Sequence, residues 1–351
     1  MNDVLGARWP GQVAPGTSGM RGAWPIPLDL FVCALPDSFG RLDVEPVACE
    51  GESGGIAHGS VGRVFVVIPV YNRVDLTLRC IALLKTQTYT DLAIVIADGG
   101  STDDTAHRVP EAYPDVVLLR DDHELWWTGA MAVGIDYVLG KADQERDFLL
   151  MLNNDTEFDD RFVETLVRVS TLRRAAVGAL TVDHANIDRI LDAGAYVDWR
   201  RYGFSVKTGI AQGETYCSDV DVLAGRGTLV PMLMVAAGGN VNARKLPHYL
   251  ADYEYFSRLK RLGFQLGMTY DTCVRSHAQL SGLTLRDGDR LTPTLAWRLL
   301  VSRRSMYNFL DHYRFIELAA PKPVKHRLQL RLLLRTGRLI LQAFGIELPR
   351  R

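Results

Sequence analysis

The chain has 351 residues, with 40 Lys plus Arg against 41 Asp plus Glu and a hydrophobic fraction of 47%. That length allows one large domain with appendages, or two domains, around a sizeable core. The net charge of −1 argues against a nucleic-acid partner, which a domain-wide basic excess would announce.

Residues 1–62 are rich in Gly and Pro and lack a sustained period, so they read as a poorly structured extension ending in a linker, "ACEGESGGIAHGSVG". The pattern changes at Arg63. "VFVVIPV", Val64 to Val70, is a continuous β-branched run, as in a strand buried on both faces of a parallel sheet. A helix over about Val74 to Gln87 and a buried strand from Leu92 to Ala97 follow. A short helix leads to a strand at Val116 to Leu119, and a helix at Gly129 to Leu139 precedes the strand Phe148 to Leu152. Strands alternating with helices predict an α/β sheet with right-handed crossovers. One more helix follows Arg161, then a strand near Ala176 to Leu180 and a mixed region up to His277. From about Thr292 the chain reads as helical.

Five scattered cysteines, Cys33, Cys49, Cys80, Cys217 and Cys273, form no CxxC pair and no zinc spacing, which points to a reducing compartment. The longest apolar stretch, Thr228 to Ala237, is short for a membrane span and contains Pro231. With no basic start followed by an apolar core, the expectation is a cytoplasmic protein.

Ligands of open α/β sheets bind beyond the carboxyl ends of the strands. The first strand ends in "PVYNR", the second in "ADGGSTDDT" and the fourth in "NNDTE". Each alone is a turn or cap signal; Ser101, Thr102 or Asp103 can simply cap the next helix. Three such segments at equivalent strand ends point to a pocket.

Together these stretches resemble the family-2 glycosyltransferases of GT-A fold. "VFVVIPVYNR" matches that family's opening strand, "IVIADGGSTDDT" its base-binding turn, and "LLMLNNDTEF" the place of its metal-binding DxD motif. "ELWWTGAMAVGI" is similar to a rhamnosyltransferase-like branch. "GRGTLVP" and "LPHYLADYEYFSRLKRLGF" resemble its acceptor-side and catalytic-base segments. The resemblance spans about Val64 to His277 and implies a mixed, mostly parallel sheet flanked by helices. It implies a GT-A domain over 63–285, and the sequence pattern beyond it gives a helical C-terminal region over 286–351.

The implied reaction is inverting transfer of a sugar from a UDP- or dTDP-sugar to a hydroxyl of a glycan or lipid-linked acceptor, as in surface polysaccharide and cell-wall synthesis. Such a donor leaves well only when its diphosphate charge is neutralised, which a divalent metal on hard oxygen ligands achieves. The resemblance implies Mg²⁺ or Mn²⁺ on Asp155, with His277 as a second ligand or, as for most lone histidines, a structural residue. Asn153 stands where the family usually has an acid; it and Asn154 then face donor or water. Asp98 is expected to accept from the N3–H of uracil or thymine. Pro69, Tyr71 and Asn72 would shape the wall beside base and ribose, with Tyr71 alternatively a half-buried packing residue.

An attacking hydroxyl needs a general base. The resemblance gives that role to Asp252, otherwise a helix cap, with Glu254 as second candidate. His248 would contact acceptor or position Asp252. Trp126 and Trp127 suit stacking on sugar faces. Thr128 and Gly129 could offer N–H groups to phosphate. Arg226 would meet diphosphate or acceptor, or form a surface salt bridge.

The tail from Pro321 interleaves Lys322, Lys325, Arg327, Arg331, Arg335 and Arg338 with leucines. A helix over Val324 to Phe344 suits either an anionic membrane surface, as at the inner face of a plasma membrane, or packing on the protein's own core. A catalytically impaired glycan-binding scaffold is the competing function, and a sugar nucleotidyltransferase a weaker one. No GxGxxG follows a predicted strand, against a dinucleotide oxidoreductase.

Overall fold

A computed structural model describes residues 62–276, 282, 283, 285 and 290–346. The expected N-terminal extension up to residue 61, Cys33, Cys49 and His277 lie outside the described residues.

The first half alternates strand and helix as its pattern requires. It runs β1 (Val64–Val70), α1 (Val74–Lys85), β2 (Leu92–Gly99), α2 (Thr105–Ala112), β3 (Val117–Asp121), α3 (Trp126–Leu139) and β4 (Phe148–Met151). The second half mixes short strands between longer elements. These are β5 (Thr156–Glu157), α4 (Phe162–Arg173), β6 (Ala175–Asp183), β7 (Ile190–Asp192), β8 (Ala195–Asp198), β9 (Gly203–Val206), β10 (Tyr216–Cys217), β11 (Thr228–Pro231), α5 (Met232–Gly238), α6 (Ala251–Arg261) and β12 (Gln265–Ser276). The helices α7 (Pro293–Val301), α8 (Phe309–Ala319) and α9 (Lys325–Ala343) follow.

The main sheet has the order β10-β12-β6-β11-β4-β1-β2-β3. Pairing is parallel across β3, β2, β1 and β4 and between β6 and β12. The strand β11 runs antiparallel between β4 and β6. The expected mixed, mostly parallel sheet flanked by helices is therefore what forms. The chain leaves β1 towards β2 and leaves β4 in the other direction, towards β6 and β12, so the strand order reverses between β1 and β4 and a crevice opens at their carboxyl ends.

Every residue of β1 is buried. Val64, Val66 and Ile68 pack with Cys80, Ile81 and Leu84 of α1 and with Phe162 and Leu166 of α4. Phe65 and Val67 join the opposite layer, with Met131, Ile135 and Val138 of α3 and Tyr255, Phe256 and Leu259 of α6. A β-carbon at Gly134 would lie 2.3 Å from Val67 Cγ1, so glycine lets α3 ride directly on β1.

A third cluster lies outside the sheet. Ala195, Val197, Tyr202 and Val206 of the β8–β9 hairpin meet Leu246, Ala251, Phe315, Ile316, Leu328 and Leu332. The tail helix thus packs on the protein's own core through Leu328, Leu332, Leu339 and Ala343. Its other face is exposed, with Leu334 65% and Phe344 67% accessible. Among the described residues, no helix is long and apolar enough to cross a membrane, and Cys80, Cys217 and Cys273 are free and buried.

Candidate active site

The ends of β1 and β2 are tied into one unit. Asn72 and Arg73 both adopt left-handed backbone, φ 58° and 63°, which turns the chain from β1 into α1. Such conformations strain non-glycine residues and persist where neighbours hold them. Here Asn72 N–H donates to Ser101 Oγ at 2.7 Å, and Asn72 Oδ1 accepts from Thr102 N–H at 2.9 Å. Asp103 Oδ2 accepts from Val74 N–H at 2.9 Å and its Oδ1 from Thr105 N–H at 3.1 Å, so Asp103 ties down the first turns of both α1 and α2. Burial pushes the Asp103 carboxyl up, but hydrogen bonds from Thr105 and Val74 outweigh it and hold it below the usual range. The Asn72 amide oxygen, expected beside a ligand, is thus spent on the loop itself. Tyr71 projects outward, 43% exposed. Pro69 lies inside β1 opposite Ala97 and is buried, so it forms sheet rather than pocket wall.

Asp98 is fully buried at the end of β2. One carboxylate oxygen accepts from Ser101 N–H at 2.9 Å. The other has no hydrogen-bond partner and lies 3.9 Å from Arg120 Nε. A buried carboxylate oxygen left in this state is an acceptor held ready for a donor.

After β4 the three polar residues diverge. Asn153 Oδ1 accepts from the Trp127 indole N–H at 2.8 Å. Asn154 turns inward and donates to Thr77 Oγ1 at 3.0 Å, so it braces α1 instead of facing a ligand. Asp155 points out, its Oδ2 3.3 Å from Arg73 Nη1.

The two tryptophans open α3 rather than lying on a loop or strand, because Trp126 takes φ 57° and the helix begins there. They diverge. Trp126 meets the His248 ring at 5.5 Å and lies under the guanidinium groups of Arg303 and Arg304, each 5.9 Å from its ring centre. Trp127 lies on the backbone of Gly225, where an added β-carbon would sit 2.5 Å from its ring carbons. Thr128 is fully buried and gives its N–H to Pro247 O at 3.2 Å, so that donor is not available to phosphate. A β-carbon on Gly129 would meet Leu125 Cβ at 3.1 Å, so Gly129 serves close packing there.

Asp252 sits in the first turn of α6, set by a left-handed Leu250 at φ 65°. Its Oδ2 accepts from Gly225 N–H and its Oδ1 from Tyr253 N–H, both at 2.9 Å. Burial pushes its carboxyl up, against those N–H groups and the nearby Arg226. Arg226 Nε is buried without a hydrogen-bond partner. Glu254, the alternative base, is on the other side of α6, 2% exposed and bonded through both oxygens to Arg258 at 3.2 and 3.1 Å. His248 is buried enough to be pushed down to about 4, so its ring is neutral near pH 7, with Nδ1 lacking a partner.

Asp192, at the end of β7, is a site residue that the sequence does not announce. It is 4% exposed and pushed up by burial, with Arg226 pulling down and Asp252 pushing up. Asp192, Arg226 and Asp252 therefore form one electrostatic group. Its only sequence trace is an aspartate ending a short apolar pair before "AGA".

Among the described residues, no three His, Cys, Asp or Glu side chains cluster as a metal cage. What they offer is one outward carboxylate, Asp155, beside a strand end. That donor set suits Mg²⁺ or Mn²⁺ held mostly by substrate phosphate oxygens. The antiparallel pair β5–β12 ends with Ser276 opposite Thr156, next to Asp155.

Residues 65–219 match the model of Glycosyl transferase family 2. The chain carries a family 2 glycosyl transferase domain. Gly225, Arg226 and Asp252 lie beyond the matched segment of that glycosyl transferase domain. The Uncharacterized glycosyltransferase YibD of Escherichia coli (strain K12) is 29% identical over 165 residues, covering 42% of this chain and 45% of that relative. The chain thus spans under half the length of that relative. Two solved structures share the fold. A structure of GalNAc-T7 with UDP, GalNAc and Mn²⁺ has a TM-score of 0.53 at 14% identity, over 82% of this chain and 57% of that one. The mannosyltransferase PcManGT from Pyrobaculum calidifontis, in complex with GDP-Man and Mn²⁺, has a TM-score of 0.50 at 17% identity, over 86% and 80%. The fold is therefore GT-A, as the resemblance implies.

Proposed function

We propose that this glycosyl transferase moves a sugar, with inversion, from a UDP- or dTDP-sugar to a hydroxyl of a glycan or lipid-linked acceptor in surface polysaccharide synthesis, with Asp252 as general base. The observation that carries the reading is the bridge from Asn153 through Trp127 and Gly225 to Asp252. It joins the strand end where a donor diphosphate belongs to a half-buried carboxylate of raised pKa. A single base on one face suits direct displacement, in which the acceptor hydroxyl loses its proton to Asp252 as it attacks the anomeric carbon. Asp98 would take the base N3–H on the oxygen that lacks a hydrogen bond. Arg226, with its free Nε, would meet a phosphate or an acceptor oxygen.

Asp155 would hold a divalent metal, with His277 following the end of β12 as a second ligand. A metal there, when bound, supplies Lewis-acid neutralisation of the leaving diphosphate. The Mn²⁺ in the two similar structures supports a divalent ion. Arg73, already beside Asp155, adds positive charge at the same place.

The test is calorimetric titration of UDP and dTDP, each with Mn²⁺, Mg²⁺ or chelator, followed by donor turnover with the nucleotide that binds. Metal-dependent binding with turnover is the expected result. Binding without turnover on any acceptor moves the scaffold reading to the front, and no binding at all removes the donor site.

A further inference from the structure

The helix α9 carries apolar side chains on two opposite faces. Leu328, Leu332, Leu339 and Ala343 are buried against the third cluster and the neighbouring helices. Leu330, Leu333, Leu334, Ile340, Leu341 and Phe344 are exposed, at 57, 51, 65, 38, 38 and 67%. From Leu330 the exposed set recurs at helical spacings and falls on one stripe, half a turn from the buried set. A surface helix with only a packing role needs one apolar face, not two.

The charge beside that stripe has one sign. Arg327, Arg331 and Arg338 fall along one flank of it, between the two apolar faces. Residues 321–346 contain no Asp or Glu. Arg331 and Arg335 donate to the carbonyl oxygens of Arg200 at 2.7 Å and Tyr202 at 2.6 Å, which fixes the helix's rotation and hence which face looks outward. Next to it, α7 exposes Trp297 at 65% and Val301 at 48%, one turn apart.

We propose that the outer face of α9 docks on an anionic lipid bilayer, the apolar stripe entering the acyl boundary and the arginine flank meeting the phosphate headgroups. The charge pattern selects this occupant. A two-fold contact that lays α9 antiparallel on its copy would bring the same arginine-bearing flanks together, and a parallel one would set them against Lys325, Gln329 and Thr336, in neither case against a carboxylate of α9. A surface of negative lipid headgroups complements them, and lies in the plane that an amphipathic helix needs. Because α9 is also packed on the body, docking holds the whole transferase against the bilayer rather than a free tail.

The test uses the full chain and vesicles of phosphatidylcholine with or without phosphatidylglycerol. Co-sedimentation is expected with phosphatidylglycerol, about tenfold weaker without it, and weakened by salt. The triple variant Leu333→Gln, Leu334→Gln, Phe344→Gln alters exposed side chains only, so its melting temperature should match the parent while sedimentation is lost. Arg327→Gln, on an exposed residue, keeps the core untouched and should bind about fivefold more weakly. Equal binding to both vesicle types, or a triple variant that still sediments, overturns the proposal. So does a dimer in light scattering that the triple variant converts to monomer, with no vesicle binding by the parent.

Discussion

The indole N–H of Trp127 donates to Asn153 Oδ1 at 2.8 Å across 26 residues of chain. This bond orients the asparagine that the resemblance puts at the first position of a DxD-type motif, and the indole lies on Gly225. Trp127→Phe keeps the ring and removes the donor. The expected loss is about 1 kcal/mol of donor affinity, roughly fivefold in Kd. Calorimetry with the preferred nucleotide checks it; unchanged affinity would show that Asn153 needs no tether.

Gly225→Ala should do more harm than its size suggests. The new methyl would lie 2.5 Å from two ring carbons of Trp127 and 3.4 Å from Asp252 Cβ. Overpacking of this kind costs about 1–3 kcal/mol. Thermal melting and transfer rate should fall together, and a second change, Trp127→Leu, should restore the melting temperature without restoring transfer.

Asp252→Asn retains an oxygen for the Gly225 N–H but cannot take a proton. Transfer should fall by about 10²–10⁴-fold, the usual worth of a general base, with nucleotide binding kept. In the parent, the raised carboxyl of the proposed base should set the acid limb of kcat/KM. Activity should be lost as pH falls through a midpoint above the ordinary aspartate value of about 3.9. Arg226→Gln removes a cation that lowers this carboxyl and should move the midpoint higher still. A parental rate in Asp252→Asn would assign the base elsewhere.

Asp155→Ala should weaken metal-dependent nucleotide binding and transfer together, leaving the protein folded, because among the described residues its carboxylate bonds to Arg73 alone, at 3.3 Å. If binding in the variant keeps its response to chelator, the metal sits on other residues.

Two histidines give a pH signature. Burial pushes His248 and His312 down to about 4. Between about 6.5 and 4 the unfolded chain binds protons that the folded one refuses, so each contributes stability above about 6.5 that is lost as pH falls towards 4. The size is up to roughly 3 kcal/mol per histidine. Asp311, pushed up to about 6 by burial, works in the opposite sense over the same window. The check is therefore residue-specific: in NMR the His248 and His312 ring signals should stay those of neutral imidazole down to about pH 5. For His312, Nε2 lies 2.8 Å from Met306 O and Nδ1 2.6 Å from Tyr202 Oη, which together fix a single neutral tautomer.

The parallel half of the sheet was readable from sequence because β1 is buried on both sides and so spells a continuous apolar run. The strands β7 to β10 were not, since runs of two to four residues carry no period. The strand ends were placed correctly, but not what their side chains do. Asn72, Asn154 and Thr128 are polar residues consumed by partners 29 or more positions away, which no local pattern reveals. Glu254, the second base candidate, faces Arg258 for a simpler reason: two residues along a helix is more than half a turn from Asp252. Asp192 was missed because its meaning comes from Arg226 and Asp252, which the fold delivers from other elements.

The third core has a consequence for how the protein comes to life during synthesis. Ala251, next to the proposed base, shares that core with Phe315, Ile316, Leu328 and Leu332. Until α8 and α9 have been made, α6 lies against an unfinished wall, with the β8–β9 hairpin equally uncovered. The nascent chain can complete the loops proposed to face the nucleotide early, since those close among residues 62–155. The half around Asp252, proposed to face the acceptor, must wait for α9. Activity should therefore appear only after α9 emerges, and a premature stop before Pro321 should yield a chain that is held by chaperones rather than a shorter enzyme.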